Sequence, residues 1–152
     1  MEKYKFQHCV LERSGNMASV FKVYGITDGA KDWYAQQSLG DIQWEYDEVS
    51  GYHCGNIYVT PHDGCASFED TSETDFFGWG VESWIRLAGG KELIFGHYEE
   101  DNGNAEFIHI KDNACIREYR AYDFADAETD EGDEPVFSSW VDVASYVDKN
   151  LF

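Results

Sequence analysis

His53, Cys54, His62 and Cys65 fall within 13 residues, and all four carry donor atoms that zinc accepts. His62-x-x-Cys65 has a workable ligand spacing. Adjacent His53 and Cys54, however, point to opposite sides of an extended backbone, and no C-x-x-C pair completes the set. Buried thiols beside two loop histidines are the simpler reading, so no metal is expected. Calcium fares no better. In a loop begun at Asp126 (Asp126-x-Glu128-x-Asp130) the sixth position is Glu131 where glycine is needed, and the twelfth is Phe137 where a bidentate glutamate is needed.

Other reactive patterns fall away for equally specific reasons. Gly78-Trp79-Gly80-Val81-Glu82-Ser83 imitates the start of a dinucleotide fingerprint, but it lacks the third glycine, and TSETDFF upstream is not a clear strand. There is no phosphate-cradling P-loop and no G-x-S-x-G elbow. Glu99 and Glu100 could do acid–base work, yet 30 acids in 152 residues produce such neighbours by chance. His97 and His109 read as structural histidines on strands. With no catalytic constellation and no cofactor motif, the chain is read as a binding protein and not an enzyme.

The elements that would position these residues show best between Lys91 and Tyr122. Leu93–Tyr98, Phe107–Ile110 and Cys115–Arg120 are short β-rich runs separated by Asn, Asp and Gly, the pattern of an antiparallel meander. Met17–Ile26 reads as a strand paired with Tyr4–Leu11 across a Glu12–Asn16 turn, and Ile57–Thr60 as another, stopped by Pro61. Phe77, Val81, Trp84, Ile85 and Ala88 recur at helical spacing over Asp75–Ala88, ended by Gly89-Gly90 and weakened at the start by Gly78 and Gly80. Ser139 is placed to cap a final helix, with Asp142 three residues on and Trp140, Val143, Ala144, Val147 and Leu151 along one face. Lys31–Leu39 reads as a short helix. The expected fold is α+β: a single domain over residues 1–152, mainly antiparallel sheet, with a C-terminal helix packed on it.

Charge supplies the functional signal. The formal net charge is −19, yet 16% of the residues are aromatic and 43% hydrophobic, which separates the chain from a disordered acidic tail. The acids are unevenly placed. Residues 32–85 hold 11 acids and no Lys or Arg, residues 121–148 hold nine and none, and the remaining 70 residues balance to +1. A field of this sign repels nucleic acid phosphate and anionic membrane, so neither is an expected partner. The four cysteines are widely spaced and the opening MEKYKFQHCV has no apolar signal region, which points to the cytoplasm.

Two acidic surfaces stand out. Asp123, Asp126, Glu128, Asp130, Glu131, Asp133 and Glu134 crowd one low-complexity inserted loop, about 123–135, which mutual repulsion should keep solvated and mobile. Asp41, Glu45, Asp47 and Glu48 flank Trp44 and Tyr46, where rings could anchor a partner that the carboxylates steer. In size, acidity and lack of a signal, the chain resembles bacterial immunity proteins of contact-dependent growth inhibition and related polymorphic toxin systems. The stretch IFGHYEEDNGNAEFIHIKDNACIREYR, with SSWVDVASYVDKNLF after it, is similar to the C-terminal half of small enterobacterial proteins of this kind. The resemblance implies a cytoplasmic protein that binds and neutralises one cognate basic toxin domain, commonly a nuclease, by covering its active site or substrate-binding surface. It transfers no binding residue, so the two surfaces above rest on charge alone. The alternative is a nucleic-acid mimic that inhibits DNA-binding defence proteins. Oligomeric state is left open.

Overall fold

The computed structural model describes residues 17–37, 42–72 and 74–152. Within them, nine strands form one antiparallel sheet: β1 (Met17–Tyr24), β2 (Glu45–Asp47), β3 (Gly51–Cys54), β4 (Ile57–Pro61), β5 (Cys65–Asp70), β6 (Leu93–Glu99), β7 (Asn104–Lys111), β8 (Ala114–Ala121) and β9 (Thr129–Glu131). Their order across the sheet is β2-β3-β4-β5-β1-β6-β7-β8-β9. Three helices cover it: α1 (Ala30–Gln37) and α2 (Val81–Ala88) on one face, α3 (Trp140–Asn150) on the other.

Strand alternation therefore feeds two cores. Phe21, Val23, Phe68, Phe95, Ile108 and Ile110 point toward α1 and α2, where Phe21 stacks on Phe68 at 4.7 Å and Trp84 on Phe95 at 4.3 Å. Val20, Ile94, Tyr98, Phe107 and Tyr119 point the other way, toward Val143, Val147 and Leu151 of α3. A sheet covered on both faces shows little polar alternation in its central strands. All six residues of β5 are buried, including Ser67, Glu69 and Asp70.

The expected α+β domain with a C-terminal helix on an antiparallel sheet is what the structure has, and the meander is there strand for strand. Ser139 caps α3 by accepting from the Val141 amide at 3.3 Å, while Asp142 reaches back to the amide of Ser138 at 2.6 Å. Other expectations change. The helix expected over Asp75–Ala88 begins only at Val81, because Gly78 sits at φ +82° and Gly80 is extended. The expected partner of β1, Tyr4–Leu11, lies outside the described residues, and along Val20–Val23 both edges of β1 are taken, by β5 and β6. The helix expected over Lys31–Leu39 is α1 as far as Gln37, with 38–41 outside the described residues.

Helix α3 lies so close on β6 that Gly96 has no room for a side chain. A Cβ there would stand 2.3 Å from Val147 Cγ2 and 2.9 Å from Leu151 Cδ1. Gly96→Ala is expected to lift the helix and to destabilise the fold by about 1–3 kcal/mol, the usual cost of overpacking, read as a lower urea midpoint with unchanged slope.

Candidate partner-binding surface

Arg117 organises the acidic segment. It lies on β8, only 2% exposed, beside a register shift where His109 pairs with Arg117 but Ile110 with Cys115, leaving Ile116 as the extra residue of a bulge. A buried guanidinium must have its donors satisfied. Here Nη1 donates to Asp130 Oδ1 at 2.7 Å, to the Glu131 carbonyl at 2.8 Å and to the Glu118 carbonyl at 3.3 Å, while Nε donates to the Pro135 carbonyl at 2.9 Å. Three of those four acceptors belong to the acidic segment.

Residues 129–131 consequently pair with β8 as the ninth strand, and Gly132 passes flush against the bulge. Its φ is +95°, and a Cβ there would meet the Ile116 carbonyl oxygen at 2.3 Å. The Glu128 amide donates to the Arg120 carbonyl at 2.9 Å, and the Asp123 amide to Asn104 Oδ1 at 2.9 Å. The loop expected to be solvated and mobile is instead tied along its length to the meander. Repulsion among its acids is outweighed by buried Arg117 of β8, whose donors need partners. All seven acids nonetheless remain exposed. Asp130 is paired with Arg117, and the other six make no ion pair among the described residues.

Beside this segment the surface is hollow. His109, Ile116, Asp133, Glu134, Pro135, Val136 and Tyr146 line an open groove of about 900 Å³ on the α3 side of the sheet. Ile116 is 46% exposed and Val136 77%, so the lining offers apolar side chains to solvent beside two carboxylates and His109. His109 Nε2 is bonded to Glu92 Oε2 at 2.6 Å.

The second expected surface forms the opposite end of the sheet. Asp41 lies outside the described residues. Glu45, Tyr46 and Asp47 are β2 and Glu48 follows in the turn, all exposed. Asp47 Oδ1 accepts the amides of Val49 at 2.7 Å and Ser50 at 3.2 Å, and these backbone donors hold its carboxyl below the usual range. Trp44 is no free anchor: its indole donates to the Lys31 carbonyl at 3.2 Å and its ring packs on Tyr34 and Phe68. Tyr46 is 62% exposed, edge-on to Tyr52 at 4.9 Å, and Lys31 Nζ already sits 3.4 Å over the Tyr52 ring. Eight interstrand steps separate β2 from β9, about 38 Å along the sheet at ~4.8 Å each. The two acidic surfaces are thus separate edges, each a three-residue strand whose charges also discourage edge-to-edge pairing.

Sequence patterns missed a row of buried ionisable groups. Ser19, His97, Glu106 and Arg120 are cross-strand neighbours on β1, β6, β7 and β8. Glu106 is fully buried and accepts from the Gly78 amide at 2.9 Å, from Arg120 Nη1 at 2.9 Å and from the Tyr122 hydroxyl. Arg120 also donates to the Trp79 carbonyl at 2.7 Å and to Glu118 Oε2 at 2.7 Å, which pins residues 78–79 onto the sheet. Burial, then the bond to Glu106, pushes the Tyr122 phenol up. His97 Nε2 bonds Glu99 Oε2 at 2.7 Å under the Phe77 ring at 4.6 Å, and with Asn102 this holds the Glu99 carboxyl down at about 2. The one available signal was the i, i+2 spacing of charged residues inside β-rich runs, unexpected for buried faces.

His53 stacks on Tyr58 at 4.8 Å, His62 Nε2 bonds Ser67 Oγ at 2.9 Å, and Cys65 is buried. Among the described residues no three His, Cys, Asp or Glu side chains gather as a metal-ligand set, and no helix is long and apolar enough to cross a membrane. Comparisons with protein-family models, with curated proteins and with solved structures find no match to this chain.

Arg117→Met removes the donors that hold the acidic segment. The amides of Thr129–Glu131 should lose hydrogen-exchange protection, with a stability loss of about 2 kcal/mol, modest because Asp130 stays half in water. Glu99 generates a pH dependence. Its folded pKa of about 2 lies below its ordinary 4.5, so the unfolded chain binds the extra proton between those values. The stabilisation is full above pH 4.5 and is lost as pH falls toward about 2. Glu99→Gln should flatten that part of the fall in denaturant titrations at stepped pH.

Proposed function

We propose that the chain is an immunity-type inhibitor acting in the cytoplasm, binding one basic toxin domain, in the first instance a nuclease, and covering the cleft that would hold its substrate. The observation carrying this reading is the β8–β9 edge: six exposed carboxylates that make no ion pair among the described residues, set on a segment that Arg117 fixes beside a groove with apolar side chains in its lining. A nuclease must present a positive cleft to phosphate, and a rigid carboxylate-bearing edge is complementary to it in charge. Opposite fields accelerate encounter, with rates up to ~10⁸–10⁹ M⁻¹s⁻¹ at low salt, while a pre-ordered segment avoids the entropy of ordering a loop on contact. The resemblance of the Ile94–Arg120 and Ser138–Phe152 stretches to enterobacterial immunity proteins points the same way. The β2 edge is a lesser candidate, since Asp47 is held by its own turn and Tyr52 by Lys31.

The test is protection. On this reading a toxin domain is expected to be encoded beside its gene; co-expressed with it, the chain should restore growth and co-purify with that domain. Replacing Asp123, Asp126, Glu128, Asp130, Glu131, Asp133 and Glu134 by their amides should cut the association rate by about 10–100-fold and remove most of its salt dependence, measured by stopped flow. Unchanged protection and kinetics in that variant would take the segment out of the interface. Capture of several unrelated DNA-binding proteins, with no single tight partner, would favour the nucleic-acid mimic.

A further inference from the structure

The groove beside β8 and the acidic segment has a chemistry more specific than negative charge. The bulge leaves Ile116 exposed, and Val136 and Tyr146 add apolar surface to the same lining as Asp133 and Glu134. Among the described residues no Lys or Arg lines it. An open groove that offers apolar side chains and carboxylates together matches one kind of side chain: a long aliphatic stem with a cationic head. A small anion is repelled there, and a purely apolar group leaves the carboxylates to compete for water.

The geometry points to this groove as the seat for a lysine or arginine from an aliphatic-rich segment of a basic protein, its stem lying on Ile116, Val136 and Tyr146 and its head meeting Asp133 and Glu134. The inference rests on the chain being a partner-binding protein, and it does not depend on the partner being a toxin. The other acidic edge makes the contrast. There the ring that could receive a cation, Tyr52, already carries the chain's own Lys31 at 3.4 Å. At the β8–β9 groove the apolar side chains and the carboxylates are in place, and among the described residues neither Asp133 nor Glu134 makes an ion pair. Arg117 reaches Phe137 at 5.4 Å but is committed to Asp130 and the segment's carbonyls. Its role is to hold the segment in position.

The test uses two capped heptapeptides as probes, one alternating Arg with Leu and one alternating Arg with Gly, titrated into the ¹⁵N-labelled full chain at physiological salt. The Arg–Leu peptide should shift the amides of Ile116, Asp133, Glu134, Val136 and Tyr146, and bind about tenfold tighter than the Arg–Gly peptide, the equivalent of one buried aliphatic contact. Val136→Asp is the decisive variant, because Val136 is 77% exposed and the change adds a carboxylate without touching the core. It should weaken the Arg–Leu peptide about tenfold; tighter binding would mean charge alone acts there and would overturn the inference. Asp133→Asn with Glu134→Gln should weaken both peptides. Equal affinity for the two probes, or shifts centred on Glu45–Tyr52, would also overturn it. Assaying Val136→Asp for growth protection separates the two readings: full protection with the peptide result negative removes the groove and leaves the immunity reading standing.

Discussion

A charged side chain buried on a central strand of a sheet covered on both faces has no route to water, so it must find its counterpart inside. That constraint sets most of the architecture. Glu106 cannot sit fully buried on β7 without Arg120 beside it on β8 and the Gly78 amide above it, and so the connection before α2 is drawn down onto the sheet. Arg117, buried on the opposite face of β8, draws in Asp130 and three carbonyls, and so a segment that charge repulsion would spread becomes an edge strand. The two arginines act on opposite faces of one strand and fix two connections that hydrophobic burial alone would leave loose.

This arrangement also changes what the net charge of −19 means at the surface. Arg117 and Arg120 are internal, Lys31 lies on Tyr52, and Lys22 donates to the Asn150 carbonyl. Several of the few cations are thereby occupied within the fold, while the carboxylates collect where the sheet meets solvent, at its two ends. Edge strands are where charge is tolerated and where it guards against unwanted pairing. The acidity of the edges therefore has a folding rationale independent of the proposed recognition, and the groove beside Val136 adds features that edge protection does not need.

The parts of this fold legible in the sequence were those bounded by turn residues or by a clear cap. The meander strands are separated by Asn, Asp and Gly turns, and α3 carries its Ser139 cap and a stripe from Val143 to Leu151. Strand β5 was hidden because CASFED is buried on both faces and mixes Ser, Glu and Asp with Phe, so neither alternation nor an apolar run marks it. Strand β9 was hidden for a different reason: its order comes from Arg117, 12 residues upstream of Thr129, and not from its own composition. The exposed acids could be read directly from composition. That they stand fixed on opposite edges could not, since strand order depends on pairings distant in the chain. Trp44 looked like an anchor because its neighbours are acidic, yet its ring packs against Tyr34 and Phe68.

The clamp on the acidic segment divides its residues into two classes with different evolutionary freedom. Asp130 and Gly132 are bound to the scaffold, one by a buried guanidinium and the other by a backbone it nearly touches. Asp126, Glu128, Asp133 and Glu134 project from the same stretch with no ion pair to maintain among the described residues. Their identities can drift without unsettling the sheet, so the charge pattern of this edge can change while its frame stays constant.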